Sequence, residues 1–300
     1  MINILNTRHS IIFFTLSIIL VSLDYFRNNL FLFTCLILIL SIGISHGSLD
    51  NLKGAKLLKI YNLNNMLYFY IGYSAVCLIV IGIWFLSATF LLILFLIVAS
   101  YHFGKEDSEF LFSTKNIILD ILFFFKGTLI ISSPLLFHHT ETIIIFNTIG
   151  MDTGLPIFTN KFFIAFILCL SVLSSVFIVI LSKSKSSSIL ILDLFAILIL
   201  NYFIQPLLAF TIYFCFLHSI RHSISLMYQL NNDLTKSARI FLKKSLPLTI
   251  VTAILFIIAF SLLIGEYDLS SSVNKVIFVG LAALTFPHII LEYILEKNEK

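Results

Sequence analysis

Phe214-Cys215-Phe216-Leu217-His218-Ser219-Ile220-Arg221-His222-Ser223-Ile224 sets the terms for the whole chain, because it puts three ionisable side chains inside a long apolar run. Burying such groups in hydrocarbon is costly unless something partners them, so an intramembrane His or Arg is a functional candidate. On a helix, His218 and His222 share one face with Cβ atoms roughly 6 Å apart, close enough to bind one metal ion together. The competing reading is that hydrogen bonds between helices, or a polar cavity, accommodate them.

Composition decides the fold class. The 300 residues are 59% hydrophobic and 11% charged, whereas a soluble domain carries about 25% charged residues. Such a chain cannot cover itself with a polar surface and reads as an all-α, polytopic membrane helix bundle forming one integral-membrane domain, 1–300. Ten apolar segments are long enough to count as candidate spans: 9–25, 29–46, 65–86, 87–104, 116–137, 160–182, 188–204, 206–227, 246–264 and 274–295. Two joins, between Phe85 and Ala88 and at Gln205-Pro206, are so short that the count could fall to eight or nine. The apolar stretch after Arg8 lacks an A-x-A cleavage site and reads as the first membrane helix.

With ten spans, fourteen of the 19 Lys and Arg residues fall on one side: Arg8, Lys53, Lys56, Lys59, Lys105, Lys115, Lys183, Lys185, Lys236, Arg239, Lys243, Lys244, Lys297 and Lys300. Arg27, Lys161 and Lys275 fall on the other, and Lys126 and Arg221 lie within helices. That asymmetry puts both termini in the cytoplasm of a cell whose inner membrane holds the chain. The net charge of +4 is too small to point to a nucleic-acid partner. The segment 231–245 reads as a basic connecting loop, and 138–160, with Gly150, Gly154 and Pro156, as a place for an interfacial or re-entrant helix.

The four cysteines, Cys35, Cys77, Cys169 and Cys215, stand singly in apolar runs, which excludes an iron-sulfur cluster and a thiolate zinc site. Histidines are the remaining soft donors. The second, fourth, eighth and tenth segments run in one direction, and His46, His102, His218 and His288 fall about 18 to 26 Å from their outer ends, with His222 one turn deeper. Five imidazoles thus gather in one slab. His9 precedes the first segment, and His138 and His139 fall at the opposite end of the fifth. Imidazole suits Fe, Zn, Cu or Ni. In a slab poor in carboxylates a four-histidine site is expected, with iron the first choice and zinc and copper left open.

Ligating histidines need hydrogen-bond acceptors behind them. Asp50 and Asp107, at the mouth of the slab, and Asp120 and Asp193, a turn into their helices, are the candidates, against the plainer reading of helix-end solvation or pairing with lysines. Lys126, near mid-bilayer, reads as snorkelling or ion-paired.

The segments Ser45-His46-Gly47-Ser48-Leu49-Asp50, His102-Phe103-Gly104 with Asp107, His218-Ser219-Ile220-Arg221-His222 and Pro287-His288, in this order and at these separations, resemble the Brp/Blh family of membrane-embedded beta-carotene 15,15'-dioxygenases. The resemblance covers about 40–290. Where the family usually has P-H-G-A-x-D-H, this chain has Ser45, Ser48 and Asn51 in place of the proline, alanine and final histidine. The resemblance implies Fe(2+) held by His46, His102, His218 and His222, with His288 a candidate for the layer behind them. It implies cleavage of beta-carotene by O2 into two retinal molecules, and a functional link to a retinal-binding rhodopsin. The many Phe side chains could line a polyene tunnel, although ordinary packing explains them as well. Two rival readings stay open: a metal-ion or proton-coupled transporter, and a di-iron membrane desaturase or hydroxylase using His218 and His222 as one histidine box. A bis-histidine haem fits the i,i+4 pair badly.

Overall fold

The computed structural model describes residues 2–22, 30–112, 116–152, 154–182, 184, 186–231 and 233–298, with the side chains of all of these except residues 2, 30, 46 and 234. Among the described residues every regular element is helical, as hydrocarbon requires of a chain that must satisfy its backbone groups internally. α1 spans Ile2–Ser22 and α2 Leu30–Leu38. α2 continues through a π-helical turn, Ile39–Gly43, and a 3₁₀ turn, His46–Leu49, into α3, Asp50–Ile60. There follow α4 (Met66–Leu86), α5 (Ala88–Glu106), α6 (Ile117–Gly127), α7 (Leu129–Phe137), α8 (His139–Thr148), α9 (Pro156–Thr159), α10 (Lys161–Leu181) and α11 (Ile189–Phe203). α12 (Pro206–Ile212) passes through a second π-helical stretch, Tyr213–Ser219, into α13 (Ile220–Leu230). α14 (Leu234–Leu263) and α15 (Leu269–Asn298) complete the bundle.

The starts of these helices are legible in local chemistry. Asn65, Asn116, Asn160 and Asp233 each accept a backbone N–H from the first turn of α4, α6, α10 and α14, at 2.9 to 3.1 Å, satisfying donors that a helix start leaves orphaned. Both doubtful joins are true breaks. Ser87, at φ −155° and ψ 79°, separates α4 from α5. Ile204 is extended and Pro206 opens α12 at its first turn, where its missing N–H does no harm. Nine of the described helical stretches are long and apolar enough to cross a membrane, and α11, with 15 residues, is the short tenth.

Four expectations need correction. The segment 231–245 is not a loop: capped by Asp233, the chain is helical from Leu234 onward and carries Lys236, Arg239, Lys243 and Lys244 on the first turns of α14. His9 does not precede the first helix but lies within α1, where its Nε2 donates to the Phe216 carbonyl at 2.6 Å. The stretch around His218 is not uniformly α-helical. Lys126 does not snorkel; it is buried on the last turn of α6.

The two π-helical stretches pack on each other. Ser219 Oγ donates to the Gly43 carbonyl at 3.2 Å, and the Phe214 ring lies 2.8 Å from where a Cβ on Gly43 would stand. A π turn inserts one extra residue into a helix and re-aims the side chains after it. Here the re-aimed side chain is His218, fully buried.

α5 and α6 meet backbone to backbone. A Cβ on Gly104 would lie 1.8 Å from the Phe123 carbonyl oxygen, and one on Gly127 would lie 1.7 Å from that of Ser100. With no hydrophobic driving force between helices in lipid, such small-residue contacts hold the pair by close packing. Gly127→Ala is expected to destabilise the fold by about 3 kcal/mol, read as a lower thermal midpoint in detergent. Gly72→Ala, with open space around it, should leave that midpoint nearly unchanged.

Candidate metal centre

Residues from α3, α5, α13 with the π stretch before it, and α15 converge at one end of the bundle. α5 brings His102, Glu106 and Asp107; the π stretch and α13 bring His218, Arg221 and His222; α15 brings His288 and Glu292; Asp50 enters from the start of α3. The ring centroids of His102 lie 5.2 Å from His218 and 5.4 Å from His288, and those of His288 and His222 are 5.8 Å apart. The rings meet at 70° to 87°. Imidazoles bound about 2.1 Å from one tetrahedral ion would have centroids roughly 5.2 Å apart, so this spacing suits a shared cation. All four rings are buried.

Three of these imidazoles have a carboxylate hydrogen-bonded at Nδ1. His218 donates to Asp107 at 3.2 Å, His222 to Glu106 at 2.6 Å and His288 to both oxygens of Asp50 at 2.9 Å. His102 Nδ1 stands 3.9 Å from Glu292. A carboxylate behind imidazole fixes the tautomer, raises the basicity of the opposite nitrogen and makes Nε2 the atom for a metal. The carboxylates are held in turn. Tyr213 donates to Asp107 at 2.7 Å and Tyr73 to Asp50 at 2.9 Å. Lys53 pairs with Glu292, and Lys105 with Glu296 at 2.5 Å. Arg221 donates to Asp193 at 2.8 Å, to the Asp107 carbonyl at 3.2 Å and to Ser10 Oγ at 2.6 Å. The ring of His218 is stacked on Phe214 and meets the edge of Phe103, whose centroid is 4.6 Å away.

The expected residues sort as follows. His102, His218 and His222 come together, and His288 stands between His102 and His222 as a member of the cluster. The side chain of His46 lies outside the described residues; its backbone opens the 3₁₀ turn that leads to Asp50. Asp50 serves His288, Asp107 serves His218, and Asp193 serves Arg221. Asp120 is elsewhere, accepting from Tyr101 at 2.9 Å. Lys126 shares a small internal cavity with Asp107, Asp193 and Tyr213. His138 and His139 lie away from the cluster, bonded to the carbonyls of Tyr202 and Phe158.

The expectation of a carboxylate-poor slab is wrong. His102, His288 and Glu292 each offer a ligand atom within 4.8 Å of the others, and so do Glu106, His222 and Glu292. Both glutamates were signalled by a spacing not used above: an acid follows at i+4 in His46/Asp50, His102/Glu106 and His288/Glu292, which places it on the histidine's own helix face. Tyr73 and Tyr213 gave no such signal. The donor set, imidazole nitrogens backed by anions with two glutamates beside them, fits a divalent transition metal such as iron.

A cavity of about 1130 Å³ ends on this cluster. It runs between α4, α14 and α15, with Asp50, His102 and His288 at one end and Trp84, Tyr267 and Lys275 at the other. From His288 to Lys275 is 13 residues of one helix, roughly 20 Å. Leu78, Val251 and Leu255 line the cavity and are 68%, 54% and 60% exposed, so it reaches the lipid-facing surface between α4 and α14.

A family model described as beta-carotene 15,15'-dioxygenase matches residues 37–296, a range that holds every residue of the cluster except Ser10 behind Arg221. The chain belongs to the beta-carotene 15,15'-dioxygenase family. That family is one of oxidoreductases. A relative from uncultured marine bacterium 66A03, named beta-carotene 15,15'-dioxygenase, is 27% identical over 262 residues, covering 85% of this chain and 90% of its own. No solved structure matches. In this family member, Asp107→Asn should weaken metal binding about 10- to 100-fold, measured by titrating the purified chain with Co²⁺. Asp120→Asn should not change it.

Proposed function

We propose that the chain cleaves the central 15,15' double bond of beta-carotene with dioxygen, giving two molecules of retinal, at one ferrous ion held by His46, His102, His218 and His222. The observation that carries this reading is the long apolar cavity that opens to lipid and ends on the histidine cluster. Beta-carotene has no polar handle and dissolves in the bilayer, so a sideways entrance between α4 and α14 suits it. Iron bound at the cluster would supply the site of dioxygen activation.

The residues of this chain do the positioning. One half of the polyene lies along α15 in the cavity, which brings the middle of the molecule to the imidazoles although they sit toward one face of the membrane. Asp107 and Glu106 hold His218 and His222 in the tautomer that presents Nε2. Phe103 and Phe214 fix the His218 ring and exclude water. The protein is then a multi-pass protein of the inner membrane with both termini in the cytoplasm, and its product would supply a retinal-binding rhodopsin.

A second reading, a dinuclear iron centre of the desaturase or hydroxylase kind, is favoured by one observation: the two donor groups share Glu292. Metal content separates them, one iron per chain against two.

Expression in a bacterium that accumulates beta-carotene should bleach its colour and yield retinal without apocarotenals of other lengths. Unchanged pigment from well-expressed chain would refute the reading and favour a transporter. Ala259→Trp, which fills the cavity wall ten residues along α14 from the Thr249 that bonds Ser48, should cut cleavage at least about tenfold while metal content stays the same, measured by retinal yield and iron analysis. That loss corresponds to about 1.4 kcal/mol of transition-state stabilisation.

A further inference from the structure

The four-histidine set takes nothing from α15, yet α15 enters the middle of the cluster. The geometry points to His288 as a direct ligand of the metal, in addition to the histidines of α5 and α13; this rests on the reading of the cluster as a metal site. Three observations bear on it. First, His288 is built like its neighbours: Asp50 takes Nδ1 through both carboxylate oxygens at 2.9 Å, and Tyr73 holds Asp50 at 2.9 Å. That is the same construction as Tyr213, Asp107 and His218. With Nδ1 so occupied, Nε2 is the nitrogen that can ligate.

Second, that nitrogen stands 3.5 Å from Glu292 Oε1. Two donors held about 2.1 Å from a tetrahedral ion are roughly 3.4 Å apart. His102, His288 and Glu292 also form a group whose ligand atoms all lie within 4.8 Å. Third, the position is central. The His288 ring is 5.4 Å from His102 and 5.8 Å from His222, so an ion between those two histidines meets it, and His288 also lines the substrate cavity. A ligand there would face the substrate and set how many positions remain for dioxygen.

The test uses the full-length chain purified in detergent, with Co²⁺ as probe. Co²⁺ titration should give a visible ligand-field spectrum. His288→Ala and His288→Asn should each shift that spectrum and weaken Co²⁺ binding at least tenfold, and added imidazole should restore the spectrum of His288→Ala. Asn places an N–H donor where Nδ1 faces Asp50 and does not reach the Nε2 position, so it reports even where His288→Ala fails to fold. Wild-type spectrum and affinity in His288→Asn would overturn the assignment. If the wild-type chain itself binds no Co²⁺ or iron, the underlying metal reading fails instead.

Discussion

Every polar side chain in this bundle has to be answered by another, because there is no water in hydrocarbon to answer it. The imidazoles are answered by carboxylates, and a buried carboxylate is itself expensive until a cation or a donor faces it. The chain meets this with nested layers: Asp107 backed by Tyr213, Asp50 backed by Tyr73, Glu292 paired with Lys53, and Asp193 with Arg221. Removing one member leaves a buried charge or donor exposed to nothing, so the layers act as a unit. This is why so many ionisable groups of an 11% charged chain gather at one end of it.

The same demand shapes the backbone. A regular α-helix through Tyr213–Ser219 would aim His218 elsewhere; the π winding turns it toward Asp107, and the matching π turn at Ile39–Gly43 lies against it. Gly43 lets the Phe214 ring approach, and Gly104 with Gly127 lets α5 and α6 touch through their backbones. His102, Glu106 and Asp107 stand on the α5 turns beside that contact, so close packing and ligand placement are one feature.

The cavity links this site to the substrate class. It is bounded by helices that the bilayer already surrounds, and its exposed rim residues, Leu78, Val251 and Leu255, are apolar. A ligand that reaches the histidines by this path leaves lipid without crossing water, so it need not be soluble in water.

Much of this was legible in the residues alone. Apolar segments locate the membrane helices but not all their ends, since α1 begins at Ile2 rather than 9 and α14 at Leu234 rather than 246, and His102, His218 and His222 come together as a common depth would require. Asp107 and Asp50 were legible as acceptors, but Asp50 serves His288 on α15, a pairing across 238 positions that no local pattern encodes. Glu106 and Glu292 had a local signature at i+4, while the tyrosines behind the carboxylates had none. Hydropathy and helical periodicity depend on near neighbours in the chain, so they determine which segments cross the membrane and which residues share a depth. Which imidazole faces which carboxylate, and where a cavity opens between helices, depends on how the helices rotate and pack, and only the tertiary structure decides that.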